Sequence, residues 1–306
     1  MNRYAAIDVG TNSVLLLVAE RQADGRFTAV EERSEITRLG KGVDQTKALS
    51  PDAIETTLKV LERFAQEARE LGAKGLVATA TSAARDASNG KVFLDGAKQR
   101  AGLEVEIISG AEEARLSFAS AFSDFGGKHP LVVLDIGGGS TEFIYGDAKG
   151  EVTFRHSFDV GSVRLTERHV KTDPPSHVEL EAIDAMLTQT FSTLPAPPAG
   201  FKMVGVAGTV TTLCAVARRV EPYDPSLIHG AVLPLLEVNA ALTRLASLPT
   251  SLRKTVPGLQ PKRADVIVAG GLIFRAAMRA LGVQDVIVSD RGLRWGLLAD
   301  RFGSAK

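Results

Sequence analysis

The sequence predicts an α/β protein made of two similar halves, and three observations lead to this prediction. Short apolar runs with the character of strands alternate with helical patterns along the whole chain. The 306 residues are 44% hydrophobic and 24% charged, an ordinary globular composition with enough apolar material for two cores. A strand, an acid, a glycine-rich polar turn and a second strand occur near Asp8 and again 127 residues later, near Asp135.

The first half opens on this pattern and continues with alternating helices and strands. Ser50-Pro51 marks a helix start, because a cap residue precedes a proline in the first helical position, and Gly72 ends that helix. The predicted elements are strands at Tyr4–Asp8, 14–19, Phe27–Ile36, Gly75–Ala80 and Leu103–Ile108, with helices from Pro51 to Gly72 and from Ser109 to about Phe125.

The second half repeats the opening pattern and ends in helices. Ser176 followed by Glu179 has the spacing of a capping box, which places a helix start at residue 177. The predicted strands are Leu131–Ile136, Thr141–Gly146, 151–158, Met203–Ala207 and Val286–Val288. The predicted helices are 162–169, 177–191, one after Gly208-Thr209, a stretch within 235–281 broken near Pro249 and Pro257, and about 291–302.

The position of the repeat also predicts two domains. Gly126-Gly127 separates a helix from a strand and has the character of a hinge. We therefore expect a first domain over residues 1–126, joined by the last helix at about 291–306. The second domain is expected over residues 127–290.

Charge and cysteine content exclude several classes of protein. Lys and Arg number 36 against 36 Asp and Glu, so the chain lacks the basic excess that sequence-blind nucleic-acid binding needs. The single cysteine, Cys214, excludes an internal disulfide. No apolar run approaches the roughly 20 residues of a membrane span, and the run Val14–Ala19 lacks the frame of a signal peptide. We expect a cytoplasmic protein without nucleic-acid or membrane partners.

The two glycine-rich turns are candidate phosphate-binding sites. Glycine lets successive backbone N–H groups approach an anion closely, and hydroxyl side chains add further donors. The preceding acids, Asp8 and Asp135, would repel phosphate unless they hold a divalent cation. A lone turn of this kind is ordinarily only a tight turn, but two copies, one with three consecutive glycines, favour phosphate binding. The turns comprise Gly10, Thr11, Asn12 and Ser13, and Gly137, Gly138, Gly139, Ser140 and Thr141.

Three segments, Ala6–Leu17, Ser109–Ser117 and Leu134–Phe143, resemble the exopolyphosphatase/guanosine pentaphosphate phosphatase family. That family has the actin-like, ribonuclease H-like superfold of acetate and sugar kinases, Hsp70 and actin. The resemblance implies two actin-like domains with an interdomain active-site cleft, in the short, two-domain form. Gly208 and Thr209 resemble the third glycine loop of the family and are expected to bind phosphate.

The resemblance also implies catalytic roles. Glu113 precedes Asp135 by 22 residues, as the family's water-activating glutamate precedes the loop acid, so Glu113 is the expected general base. Glu112 has capping-box spacing from Ser109 and is expected to cap its helix. Arg85 is expected to grip phosphate, and Glu142 to bind metal with Asp8 and Asp135. Read without the resemblance, Glu113 is also typical of a solvated first-turn glutamate and Arg85 of a surface arginine.

Other polar residues give weaker signals. Arg164, His229 and Arg263 are candidates for phosphate contacts, although a hydrogen-bonded loop histidine explains His229 equally well. Cys214 and Trp295 are expected to pack in the core.

Together these features predict a hydrolase of terminal phosphoanhydrides that requires Mg²⁺, with Mn²⁺ as a substitute and a monovalent cation such as K⁺ as a compatible addition. Inorganic polyphosphate is the expected substrate, and guanosine pentaphosphate is the alternative within the same reaction class. The turns also permit a small-molecule kinase of the same superfold or a non-catalytic sensor of polyphosphate or an alarmone. A homodimer is compatible with the sequence.

Overall fold

Two separate β-sheets organise the chain in the computed structural model, which describes residues 2–303. The first sheet begins with a long hairpin of apolar strands and is completed by two parallel strands, each reached through helices. Its elements are β1 (Arg3–Val9), β2 (Ser13–Arg21), β3 (Phe27–Ile36), α1 (Val43–Thr46), α2 (Pro51–Glu70), β4 (Ala73–Ala80), α3 (Ser82–Asp86), α4 (Gly90–Ala101), β5 (Val105–Ile107) and α5 (Gly110–Phe125).

The strand order of this sheet is β3-β2-β1-β4-β5, and helices cover both of its faces. Side chains alternate along β1, so Ala5 and Ile7 pack with α2 and α4 while Ala6 faces the opposite side. The last helix of the chain, α13 (Leu293–Phe302), buries Leu297 and Leu298 against that opposite face. The C-terminal helix therefore belongs to the core of the first sheet.

The second sheet repeats the topology of the first, which confirms the internal repeat. Its order is β10-β11-β9-β6-β7-β8, and the strands from β8 to β11 pair in the same parallel and antiparallel sense as those from β3 to β5. Its elements are β6 (Leu131–Ile136), β7 (Thr141–Gly146), β8 (Val152–Phe158), α6 (Ser162–His169), α7 (His177–Phe191), β9 (Lys202–Val206), α8 (Ala207–Arg218), α9 (Pro225–Ile228), β10 (Val232–Pro234), α10 (Leu235–Ala246), α11 (Thr250–Arg253), α12 (Ile267–Ala280) and β11 (Asp285–Val288).

The chain divides into two units around these sheets. One unit contains the described residues up to Ser120 and those from Gly292 onward; the other spans Ala121–Arg291. One large apolar cluster fills the second unit, with Phe143, Phe191 and Phe274 among its largest fully buried side chains. Within residues 2–303, no helix combines the length and the apolar character needed to cross a membrane.

Most predicted elements are confirmed, and the differences have local causes. The capping box at Ser176 and Glu179 is present and begins α7. Residue Ala207, predicted as the end of a strand, instead begins α8 with a left-handed backbone (φ 68°). The short helices α1, α3 and α9, the strand β10 and the whole of α4 were not predicted, because their apolar positions are too few or too irregular to show a period.

Candidate active site

The first glycine-rich turn, which we call loop 1 (Gly10–Ser13), joins β1 to β2. The N–H of Gly10 donates to the Ser13 carbonyl at 2.9 Å and closes the turn. A segment after β3 holds loop 1 by its carbonyls: Thr11 accepts from the Gly40 N–H, and Asn12 accepts from the N–H groups of Thr37 and Arg38. Because each peptide unit is planar and trans, the N–H groups of Asn12 and Ser13 point to the other side of the turn. Loop 1 therefore offers backbone donors to an anion.

Buried polar side chains beside loop 1 also need a ligand or water. The Asn12 Nδ2, Thr37 Oγ1 and Thr79 Oγ1 atoms are shielded from solvent and make no hydrogen bond within the described part of the chain. Thr79 is the register partner of Asp8 in the parallel pair β1–β4. Buried donors are almost always satisfied in folded proteins, so this grouping indicates that a polar group binds here.

The predicted catalytic residues Glu113 and Arg85 come together in the first unit. Arg85, in α3, places Nη1 3.4 Å from Glu113 Oε2 and donates from the same nitrogen to the Ile108 carbonyl at 3.0 Å. Glu113 lies in the first turn of α5 and its side chain is 12% exposed, so it is not a solvated surface residue. The end of β5, α3 and α5 thus position one carboxylate and one guanidinium next to each other.

The neighbouring Glu112 has a different environment. The Ser109 hydroxyl accepts from the Glu112 N–H, as expected for the helix cap. The Glu112 carboxylate, however, makes a two-point ion pair with Arg115. An arginine three residues on offers two donors to the carboxylate, so Glu112 is engaged by a charged partner different from Arg85, which contacts Glu113.

The second glycine-rich turn, loop 2 (Gly137–Thr141), joins β6 to β7 and is held in the same way. Gly137 donates to the Ser140 carbonyl at 3.0 Å, and helix α6 engages the carbonyls of all three glycines. Gly137 accepts from the Ser162 N–H, Gly138 from Val163 and Arg164, and Gly139 from the Arg164 side chain. Planarity then directs the N–H groups of Gly138, Gly139 and Ser140 away from α6. Three consecutive amides on one side of a turn form an anion-binding nest.

Two buried carboxylates lie next to loop 2. Asp135 and Glu142 are direct partners on the antiparallel rung of β6 and β7, so their side chains share one face. They are 7% and 1% exposed, and the Ser157 hydroxyl donates to Glu142 Oε1 at 2.7 Å. Two close, buried negative charges favour a cation, and hard oxygen ligands suit Mg²⁺. Among residues 2–303 no group of three or more His, Cys, Asp or Glu side chains is arranged to hold a metal, which is compatible with Mg²⁺ because it usually keeps water and substrate oxygens as ligands.

The third loop of the resemblance lies where β9 meets α8. Ala207 takes the left-handed conformation there, and Thr209 is buried. A Cβ atom at Gly208 would lie 2.4 Å from Arg263 Nη1, so the guanidinium of Arg263 packs directly against this glycine. The weak candidate Arg263 therefore lies directly over the third loop.

The other weak candidates separate into distinct environments. His229 Nε2 lies 3.6 Å from Asp124, and its ring packs beside Phe125. Cys214 is fully buried in the apolar cluster of the second unit, as predicted, and burial raises the pKa of its thiol. Trp295 is 8% exposed and packs in the core of the first unit, as predicted. The segment Thr37–Gly40 was not among the predicted site residues, although its glycine, four residues after the end of β3, was a usable signal.

Comparison with known proteins identifies the family. A model described as the Ppx/GppA phosphatase family matches residues 17–305. The chain belongs to this family. Exopolyphosphatase 2 of Mycobacterium tuberculosis is 36% identical over 320 residues, covering 99% of both chains. A guanosine-5'-triphosphate,3'-diphosphate pyrophosphatase of Vibrio atlanticus is 31% identical and covers 98% of this chain, which spans 60% of that relative.

Solved structures of family members also share the fold. The crystal structure of an exopolyphosphatase from Cytophaga hutchinsonii matches with a TM-score of 0.89 and 28% identity, covering 100% of this chain and 99% of that one. The fold of this Ppx/GppA protein is accordingly actin-like, with the two sheets as its repeated units, as the resemblance implied.

Proposed function

We propose that this Ppx/GppA phosphatase is an exopolyphosphatase that hydrolyses the terminal phosphoanhydride bond of inorganic polyphosphate and releases phosphate. The observation that carries the proposal is loop 2, where three glycine carbonyls are held by α6 and three amides face the other way, beside Asp135 and Glu142. Such a loop suits a phosphate chain, since it binds oxygens common to every unit and reads no base or sugar. The full-length similarity to a mycobacterial exopolyphosphatase supports polyphosphate as the substrate.

Each group has a role that follows from its chemistry. The amides of loops 1 and 2, with the Ser13, Ser140 and Thr141 hydroxyls, would bind phosphate oxygens and stabilise the charge that spreads over them as the bond breaks. Glu113 would accept a proton from the attacking water, and Arg85 would orient that carboxylate. Gly208 and Thr209 are proposed to complete phosphate binding in the second unit.

We propose Mg²⁺ as the cofactor, held by Asp135 and Glu142, with Mn²⁺ able to replace it; Asp8 stays a predicted ligand. When bound, the ion would neutralise phosphate oxygens and so lower the cost of the developing charge. Two buried carboxylates that face each other on one rung of the β6–β7 pair supply the oxygen ligands that this ion prefers.

Removing the metal or one of its proposed ligands should have a defined effect. We expect EDTA to abolish phosphate release and added Mg²⁺ to restore it. Asp135→Asn should raise the Mg²⁺ concentration for half-maximal activity about tenfold or more, because it removes one anionic ligand. Asp147→Asn, in the exposed turn at the end of β7, should leave that concentration unchanged. Full activity in EDTA would contradict the metal proposal.

The substrate is tested by measuring phosphate release side by side on polyphosphates of several lengths and on guanosine pentaphosphate. We expect a higher kcat/KM on polyphosphate. The reverse order would favour guanosine pentaphosphate, which the similarity to the Vibrio enzyme keeps as the alternative. Binding of both compounds without phosphate release would instead indicate a sensor.

A further inference from the structure

Helix α6 contacts loop 2 on the side of the loop carbonyls, through backbone N–H groups and through the side chains of Ser162 and Arg164. The N–H groups of Ser162, Val163 and Arg164 donate to the carbonyls of Gly137 and Gly138. The Gly139 carbonyl accepts instead from Arg164 Nε, at 2.7 Å. Arg164 is 7% exposed, so this hydrogen bond is shielded from water. One arginine thus holds two adjacent carbonyls of the turn, one with its backbone and one with its side chain.

We propose that Arg164 is a positioning residue that fixes the Gly139–Ser140 peptide in the orientation that binds phosphate. This inference rests on the proposed function of loop 2. Because the Gly139 carbonyl points at Arg164, the Ser140 N–H points the opposite way, to the side where loop 2 would bind phosphate. Arg164 therefore acts through the backbone of the loop, from the side opposite the substrate.

Loop 2 needs a residue that fixes its conformation because its backbone is flexible. Gly137, Gly138 and Gly139 have no Cβ atoms, and glycine reaches many conformations at little cost. Without the Arg164 side chain, the Gly139–Ser140 peptide can rotate, which turns a carbonyl oxygen toward the phosphate in place of an N–H. A buried carbonyl without a donor also favours this rotation.

Loop 1 differs from loop 2 in the kind of donor that binds its carbonyls, and this difference makes the role of Arg164 testable by substitution. There, all three holding donors are backbone N–H groups, from Thr37, Arg38 and Gly40. No single side-chain substitution removes them. In loop 2 the bond to the last glycine carbonyl comes from a side chain and can be removed without changing the backbone of α6.

The test compares Arg164→Ala and Arg164→Lys with wild type, using phosphate release from polyphosphate of defined length well below the thermal midpoint of each variant. We expect Arg164→Ala to raise KM at least tenfold and to lower kcat/KM about a hundredfold. The kcat/KM of Arg164→Lys should lie between those of Arg164→Ala and wild type. The lysine ammonium can reach the carbonyl but lacks the fixed, planar set of donors of the guanidinium. Arg168→Ala, an exposed arginine on the same helix, should stay within twofold of wild type.

Chemical rescue separates positioning from general structural support. Millimolar guanidinium chloride should recover at least tenfold in kcat/KM for Arg164→Ala, whereas equal NaCl should not, and wild type should be unaffected. The inference is overturned if Arg164→Ala keeps its kcat/KM within twofold of wild type. It is also overturned if activity falls only in proportion to the loss of folded protein and guanidinium recovers none of it.

A failure of the proposed function gives a different result from a failure of the Arg164 proposal. Wild-type protein that releases no phosphate would contradict the hydrolase assignment without deciding the role of Arg164. Calorimetric titration with inorganic tripolyphosphate then decides it, because Arg164→Ala should weaken binding at least tenfold while Arg168→Ala should not. Equal affinities of the two variants would reject the positioning role.

Discussion

Replacing Glu113 by glutamine should lower kcat for phosphate release by about 10²- to 10⁴-fold, the usual contribution of a general base. The amide has nearly the same shape as the carboxylate but cannot accept a proton from water. It can still accept a hydrogen bond from Arg85, which also keeps its bond to the Ile108 carbonyl. The fold and the affinity for polyphosphate should therefore change little. Initial rates and calorimetric binding of tripolyphosphate measure the two effects.

The adjacent Glu112 supplies a matched control for this experiment. It lies on the same helical turn, but its carboxylate makes the ion pair with Arg115, which also contacts Asp300 of α13. Glu112→Gln should keep kcat within about threefold, since a partly exposed ion pair contributes little to stability. Equal losses in both variants, or full activity of Glu113→Gln, would show that Glu113 is not the base.

The repeated architecture could be predicted because its signals are local. A strand, an acid and a glycine-rich turn can be recognised within ten residues, and the second copy confirms the first. The helical position of Glu113 is also a local signal, since it follows from Ser109 and the apolar pattern after it. Its role as the base came from the family resemblance, through its spacing of 22 residues from Asp135. The environment of Glu142 could not be inferred in this way, because its register with Asp135 and its bond from Ser157 depend on how three strands pair.

The way in which the loops are held could not be predicted at all. The groups that bind the loop carbonyls lie about 25 residues downstream of each turn, at Thr37–Gly40 and at Ser162–Arg164. Their donors are mostly backbone N–H groups, which every residue except proline carries, so composition and spacing give no signal. From the sequence, Arg164 was therefore only a weak candidate for phosphate contact, whereas its side chain binds the Gly139 carbonyl.

The contact between α13 and α5 should be the most sensitive point of the first unit's core. A Cβ atom at Gly296 would lie 2.0 Å from the Leu116 carbonyl oxygen, and backbone cannot move aside as a flexible side chain can. In a free helix, alanine is favoured over glycine by roughly 1 kcal/mol. Here Gly296→Ala should instead destabilise the unit by about 3 kcal/mol and lower its thermal midpoint by roughly 5 to 10 °C.

Gly292, at the start of the same helix, provides the control for this prediction, because a Cβ atom there would meet nothing within 4 Å. Gly292→Ala should lower the free energy of unfolding by less than about 1 kcal/mol, the small penalty of alanine at an N-cap. Calorimetric melting of both variants measures the difference. A Gly296→Ala midpoint equal to or above wild type would mean that α13 does not pack this closely on α5. Since α13 also buries Leu298 in the cluster that contains Ala6 of β1, the strand that carries Asp8, a loosened helix should lower phosphate release as well.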